Sequence, residues 1–232
     1  MGAKVPGLSA NKLLAALPHD DFHLLENHFR LAPITQRTQL FDAADEVEHV
    51  IFPLSGMVSL LVVLKNGDAV ETATVGREGV VGAMAGLGLH TSHVRAVIQL
   101  PGVFASISST QFRRAAAASK AISDMSIRYN ETLLAQARVT AACNISHTAE
   151  ARFCRWLLQS RDCAESDTVP LTQEFLSEML GVRRTSVTEV AVKMQDAGII
   201  SYSRGIINVI DLAKLKGYSC ECYETLRRER PH

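Results

Sequence analysis

Two adjacent arginines, Arg183 and Arg184, open a helical run just after Gly181 in the stretch EMLGVRRTSVTEV. Cations in a first helical turn meet the positive end of the macrodipole, where carboxylates are favoured. An anion outside the helix has to offset that placement, and a phosphate backbone is the polyanion that does so most strongly. Arg184 has the geometry to bond a guanine bidentately, while Thr185 offers a methyl to a thymine and a hydroxyl to a base or phosphate. Arg183, Ser186, Thr188 and, further on, Arg204 suit phosphate contact or positioning. Glu189 could accept from a cytosine amino group, but it also lies four residues before Lys193, in the favourable order for an intrahelical ion pair, which is the plainer reading.

The other residues with chemistry to offer are less well spaced. Cys143, Cys154, Cys163, Cys220 and Cys222 form an odd set without a CxxC pair, so neither a disulfide framework nor a zinc ribbon is indicated. Read as part of one helix, Cys220 and Cys222 point nearly opposite ways and cannot easily share a metal, which leaves them as packing residues. His90 and His93, with Glu71 or Glu78, could be metal ligands of a β-barrel enzyme, but two histidines three apart in a turn do not converge on one ion. No metal, haem or other cofactor is expected, and no catalytic residue.

Around these residues the chain changes texture twice. Residues 11–29 carry an apolar pattern interrupted by Pro18-His19-Asp20-Asp21, which predicts two short helices. From about Leu31 to Ile107 come short β-rich runs, IFPLSGMVSLLVVL, AVETATVG, VRAVIQL and VFASIS, the pattern of a β-sandwich or barrel. Asn66-Gly67 predicts a tight hairpin with positive φ at both residues. The glycines at 76, 79, 82, 86 and 88 mark backbone that turns closely on itself or on a ligand, without the spacing of a dinucleotide fingerprint.

After Ser108, helical periodicity predicts one helix from Gln111 to about Asn144, with Ile122, Met125, Tyr129, Leu133 and Ala137 along one face. Such a stripe suits packing against a second copy of the chain, or against the helix's own domain. A further helix at about 147–161 buries Phe153, Trp156 and Leu157. LTQEFLSEMLG and RRTSVTEVAVKMQDAG then make a helix-turn-helix, and ISYSRGIINVID makes a hairpin with Arg204 at its tip. Without the wing and the β-domain, the same segment would read as an ordinary helical hairpin with a solvated Arg pair.

Lys plus Arg equals Asp plus Glu at 24 each, so no global field draws the chain to nucleic acid or membrane, and any polyanion site is local. The N-terminal residues lack the basic and apolar regions of a signal peptide, and no stretch has the ~20 apolar residues of a membrane span. A cytoplasmic protein is expected.

The order of these parts resembles the CRP/FNR family of bacterial transcription regulators. The resemblance is carried by Leu171, Gly181, Arg184, Val187, Met194, Ile199-Ile200 and Gly205, and more loosely by IFPLSGMVSLL, Asn66-Gly67, Gly76, Gly79 and Gly82. It implies an α+β chain: an antiparallel β-roll of cupin or jelly-roll kind, a long dimerisation helix and a winged helix-turn-helix, at 1–118, 119–145 and 146–232. It implies a homodimer on double-stranded promoter DNA, with RNA polymerase and a small-molecule effector as further partners, and no membrane.

The effector pocket is expected at Gly82, Ala83, His90, Thr91 and Arg95. The resemblance also marks departures. Cyclic-AMP binders carry Gly-Glu for the ribose and Arg followed by Ser or Thr for the cyclic phosphate, where this chain has Gly82-Ala83 and His90-Thr91. A mostly neutral imidazole is a poor substitute for a guanidinium fork, so cyclic AMP is not the expected effector. Oxygen sensors hold an iron–sulfur cluster mainly on N-terminal cysteines, and here none precedes Cys143. Thr185 and Glu189 differ from the recognition residues of the cyclic-AMP-responsive members, which implies a different operator.

Overall fold

A computed structural model describes residues 7–229, which divide into two compact units. The first comprises residues up to 61 and 73–135. It starts with two short helices, α1 (Lys12–Ala15) and α2 (His19–Glu26), as the interrupted apolar pattern predicts. Asn11 caps α1 through the amides of Leu13 and Leu14, both at 3.1 Å, and its side-chain NH2 donates to Pro53 O at 3.0 Å and Gly79 O at 2.8 Å. A fully buried amide is tolerable because every one of those bonds is made.

Seven strands follow: β1 (Arg30–Ile34), β2 (Gln39–Phe41), β3 (His49–Pro53), β4 (Met57–Val63), β5 (Ala69–Val75), β6 (Arg95–Leu100) and β7 (Gly102–Ser108). They form two sheets, ordered β1-β7-β3 and β2-β6-β4-β5. In the first sheet β7 is antiparallel to both neighbours, with Ser106 opposite Arg30 on one side and Ile51 on the other. Phe52, Phe104, Val50, Ile98 and Ile107 fill the core with Phe112, and Phe29 meets Phe52 edge-on at 5.5 Å.

The predicted single helix after Ser108 is two helices, α3 (Ser109–Ala118) and α4 (Lys120–Ser146). Ser119 leaves helical geometry, at φ −128° and ψ 118°, and its hydroxyl accepts from the Ile122 amide at 3.1 Å. A serine that competes for backbone hydrogen bonds ends one helix and caps the next. The stripe on α4 also turns inward: Ile122 and Tyr129 belong to the β-domain's own core, with Met125 and Leu133 packed against it. Ala137 is half-buried. The large apolar side chains left exposed on α4 are Ile127, Leu134 and Ile145.

The second unit comprises residues 62–72 and 136–229. The turn at its start closes with one αL residue rather than two. Only Gly67, at φ 90°, has positive φ, Gly67 N donates to Leu64 O at 2.9 Å, and Leu64 N donates to Asp68 O at 2.8 Å. That is a three-residue loop in which a type I turn precedes an αL glycine, so the expected two-residue turn is corrected. On the same segment, Glu71 is buried and accepts from the Trp156 indole at 2.9 Å.

The rest of this unit runs α5 (Ala149–Ala164), β8 (Thr168–Pro170), α6 (Gln173–Leu180), α7 (Arg184–Asp196), β9 (Ile200–Ser203), β10 (Ile206–Val209), α8 (Leu212–Tyr218) and α9 (Cys222–Glu229). Thr148 caps α5, which packs on α7, α8 and α9 and buries Phe153, Trp156 and Leu157 as expected. Strand β8, hidden in the polar connection after α5, joins the wing as the third strand in the order β8-β10-β9. Among the described residues no helix is long and apolar enough to cross a membrane.

Candidate functional site

Helix α6 is capped by Thr172, whose hydroxyl accepts from the Phe175 amide, and it buries Phe175, Leu176, Met179 and Leu180. It ends on Gly181 at φ 59°, with the Val182 amide reaching back to Ser177 O at 3.1 Å. This left-handed stop satisfies the last carbonyls and redirects the chain within two residues. Helix α7 then starts with Arg183 as its N-cap, and no side chain caps it. Most helices place Ser, Thr, Asp or Asn there, so α7 presents bare amides together with the two arginines.

Val187, Ala191 and Met194 bury one face of α7, which turns Arg183, Arg184, Thr185 and Glu189 to the exposed face. Arg183, Arg184 and Arg204 have no carboxylate partner among the described residues. The hydroxyl of Thr188 lies 3.1 Å from both Arg184 O and Gln173 Oε1, so it ties α7 to α6. Ser186 is half-buried and its amide donates to Arg183 O at 3.0 Å. The pairing expected for Glu189 does not form: Lys193 meets Glu150 of α5 at 2.5 Å instead. A carboxylate on a neighbouring helix outcompetes one on the same helix, and Glu189 keeps no ionic partner among the described residues.

The wing is a two-residue hairpin with positive φ at both Arg204 (50°) and Gly205 (76°). Such turns favour Asn-Gly, because a β-carbon in the left-handed region costs about 1–2 kcal/mol. Gly205 O accepts from the Leu171 amide at 2.7 Å, which stitches the wing tip to the start of the helix-turn-helix.

In the first unit a cavity of about 220 Å³ is lined by Phe41, Leu60, Val81, Met84, Tyr129 and Leu133, with Gly82, Ala83 and Thr91 on its wall. Two expected pocket residues face elsewhere. Arg95 is held by Asp42, through Nη2 at 2.6 Å and Nε at 3.2 Å to both oxygens, and this bond holds the Asp42 carboxyl below its ordinary range. His90 Nδ1 sits 2.9 Å from an Arg113 guanidinium nitrogen. His93, not Arg95 or His90, lines the cavity. Of the glycines, Gly79 shows close approach most directly, since a β-carbon there would lie 1.9 Å from the Tyr129 hydroxyl oxygen.

The metal donors fall differently from the sequence expectation. His90, His93, Glu71 and Glu78 form no ligand group among the described residues; Glu71 serves Trp156 and Glu78 accepts from the Gly76 amide. The one such group among them is Cys143, His147, Cys220 and Cys222, all within 4.8 Å of one another. The predicted single C-terminal helix breaks at Ser219-Cys220, so Cys220 and Cys222 do not share a helical ladder and can face the same point. The signal available in the sequence was Cys143-x-x-x-His147, an i,i+4 pair on one helical face.

A β-roll core with an adjoining cavity, a long helix and a winged helix-turn-helix with unpaired arginines define a two-domain regulator that reads DNA. A cyclic nucleotide-binding domain model matches residues 33–119 and a Crp-like helix-turn-helix domain model matches 151–218, together well over half of the chain. The chain belongs to the Crp/Fnr family of transcription regulators, whose members are not enzymes. Solved structures share the fold at low identity. FixK2 from Bradyrhizobium japonicum has TM-score 0.68 and 14% identity, covering 83% of this chain and 98% of its own. The c-di-GMP-responsive global regulator CLP from Xanthomonas campestris has TM-score 0.68 and 16% identity, covering 84% and 100%. A CRP-family regulator from Thermus thermophilus has TM-score 0.68 and 17% identity, covering 82% and 99%. No curated protein sequence matches the chain.

Proposed function

We propose that two copies of this chain read a two-fold symmetric promoter site, each placing α7 in a major groove. The observation that carries the reading is the start of α7, where two unpaired arginines and uncapped amides share one exposed edge. Arg184, Thr185 and Glu189 read bases. Arg183 and Arg204 contact phosphates, and Thr188 and Ser186 hold the helix in place. Residues 1–118 serve as effector domain, 119–145 as dimer helix and hinge, and 146–232 as DNA-binding domain.

The exposed Ile127 and Leu134, seven apart on α4, replace the inward stripe as the seam between copies. RNA polymerase is the partner through which promoter binding changes transcription. The effector is a small, largely apolar molecule, since no guanidinium lines the cavity and its walls are mostly aliphatic and aromatic. Footprinting on the region upstream of its own gene cluster tests the reading. Two protected half-sites about one helical turn apart, lost steeply with added salt, are expected. Absence of any salt-sensitive protection would overturn it.

A further inference from the structure

We propose that Cys143, His147, Cys220 and Cys222 form a mononuclear tetrahedral site for a thiophilic divalent metal ion, with zinc the best fit. The Cys143 and Cys220 sulfurs lie 3.6 Å apart, and Cys222 Sγ lies 3.7 Å from His147 Nδ1. These two separations share no atom, so they are opposite edges of one four-cornered figure. Two thiolates each about 2.3 Å from a shared tetrahedral ion stand about 3.7 Å apart, which is the spacing already present. The His147 amide donates to Cys143 O at 3.1 Å, continuing the helical ladder of α4 and keeping both donors on one face.

The surroundings match the same chemistry. His147 offers Nδ1 to the site while its Nε2 faces a Glu221 carboxylate oxygen at 3.1 Å, the arrangement by which a carboxylate orients a ligating imidazole. Beside the thiols, Arg152 and Arg155 are only 8% and 4% exposed, and neither has a carboxylate partner among the described residues. The Nε atoms of both are buried without an acceptor. Both guanidinium groups act electrostatically on these cysteines. A divalent ion with three thiolates and a neutral imidazole carries one net negative charge, so the centre supplies the anion that two buried cations need. Each cysteine binds as its thiolate, so whatever proton a thiol still carries leaves to solvent on loading. With four protein ligands no position is left for substrate, which makes the site structural or sensory. Its place at the end of α4, just before Thr148 and α5, puts the metal where the chain passes from one helix to the next, ahead of α6 and α7.

The test is a Co2+ titration of full-length protein, reduced and stripped of metal. One equivalent per chain should develop the intense visible bands of a tetrahedral thiolate complex, bleached by equimolar Zn2+. The Cys154→Ser Cys163→Ser double variant should behave as wild type, and Cys143→Ser Cys222→Ser should lose the bands. The exposed Glu221→Gln should keep them with affinity about 10-fold weaker or more. The weak spectrum of octahedral Co2+ in the wild-type protein, which requires no variant to fold, would overturn the proposal, as would unchanged bands in Cys143→Ser Cys222→Ser.

Discussion

The ammonium of Lys193 meets the carboxylate of Glu150 at 2.5 Å, across from the recognition helix to α5. With Lys193 so engaged, Glu189 faces outward, unneutralised, on the same edge as Arg184. A bare carboxylate on a surface that meets phosphates is repelled unless it accepts a hydrogen bond from a base; the major groove offers the amino groups of cytosine and adenine as donors, and cytosine is the usual partner of a carboxylate.

Glu189→Ala should therefore relax discrimination at one base pair of the operator, by ~1–3 kcal/mol, and Arg184→Ala should do the same at a different one. Selection of binding sites from a random pool reads both. Identical base preferences for wild type and Glu189→Ala would return Glu189 to a solvated side chain.

Arg204 carries opposed demands, since its backbone is left-handed while the proposed function asks its side chain to contact phosphate. Arg204→Asn should raise thermal stability by up to about 1 kcal/mol, because Asn tolerates that conformation, and should shallow the salt dependence of DNA binding by about one unit. A variant that loses affinity with an unaltered salt slope would show that Arg204 contacts no phosphate.

Trp156→Phe removes the hydrogen bond to buried Glu71. Urea unfolding followed by circular dichroism should show destabilisation by roughly 2 kcal/mol. A change below about 0.5 kcal/mol would mean that Glu71 is satisfied equally well without the indole.

Acid weakens the Asp42–Arg95 pair. Bonding to Arg95, then to the Ala43 amide, lowers the folded carboxyl below its ordinary 3.8, so the group contributes stability at and above the unfolded value and loses it as pH falls through the folded one. Wild type should exceed Asp42→Asn in stability at neutral pH, and the gap should close below about pH 4, modestly because both side chains are about a third exposed. A gap independent of pH would place the effect in packing rather than charge.

What the sequence disclosed follows from how local each signal is. Gly181, Gly205 and the apolar spacing of α6 and α7 are satisfied within a few residues of themselves, and the winged helix-turn-helix was legible from them. Ser119 was not, because a serine is unremarkable in a helical run until its hydroxyl takes an amide. Strand β8 is three residues ending in proline, too short to announce itself without β10 beside it. The roles of Ile122 and Tyr129 depended on whether a β-core or a second chain stood opposite, and spacing alone cannot distinguish the two. Lys193 had two acidic candidates and chose the one 43 residues away. The convergence of Cys220 and Cys222 on one point was hidden by one premise, a continuous C-terminal helix, which the break at Ser219-Cys220 removes.

Trp156 is the chain's single tryptophan. Its emission under selective excitation therefore originates at one address, a fully buried indole bonded to Glu71 on the 62–72 segment. A red shift would mean that water has reached that contact. The native protein thus carries an optical gauge of one hydrogen bond, readable during DNA titration or metal loading without any attached dye.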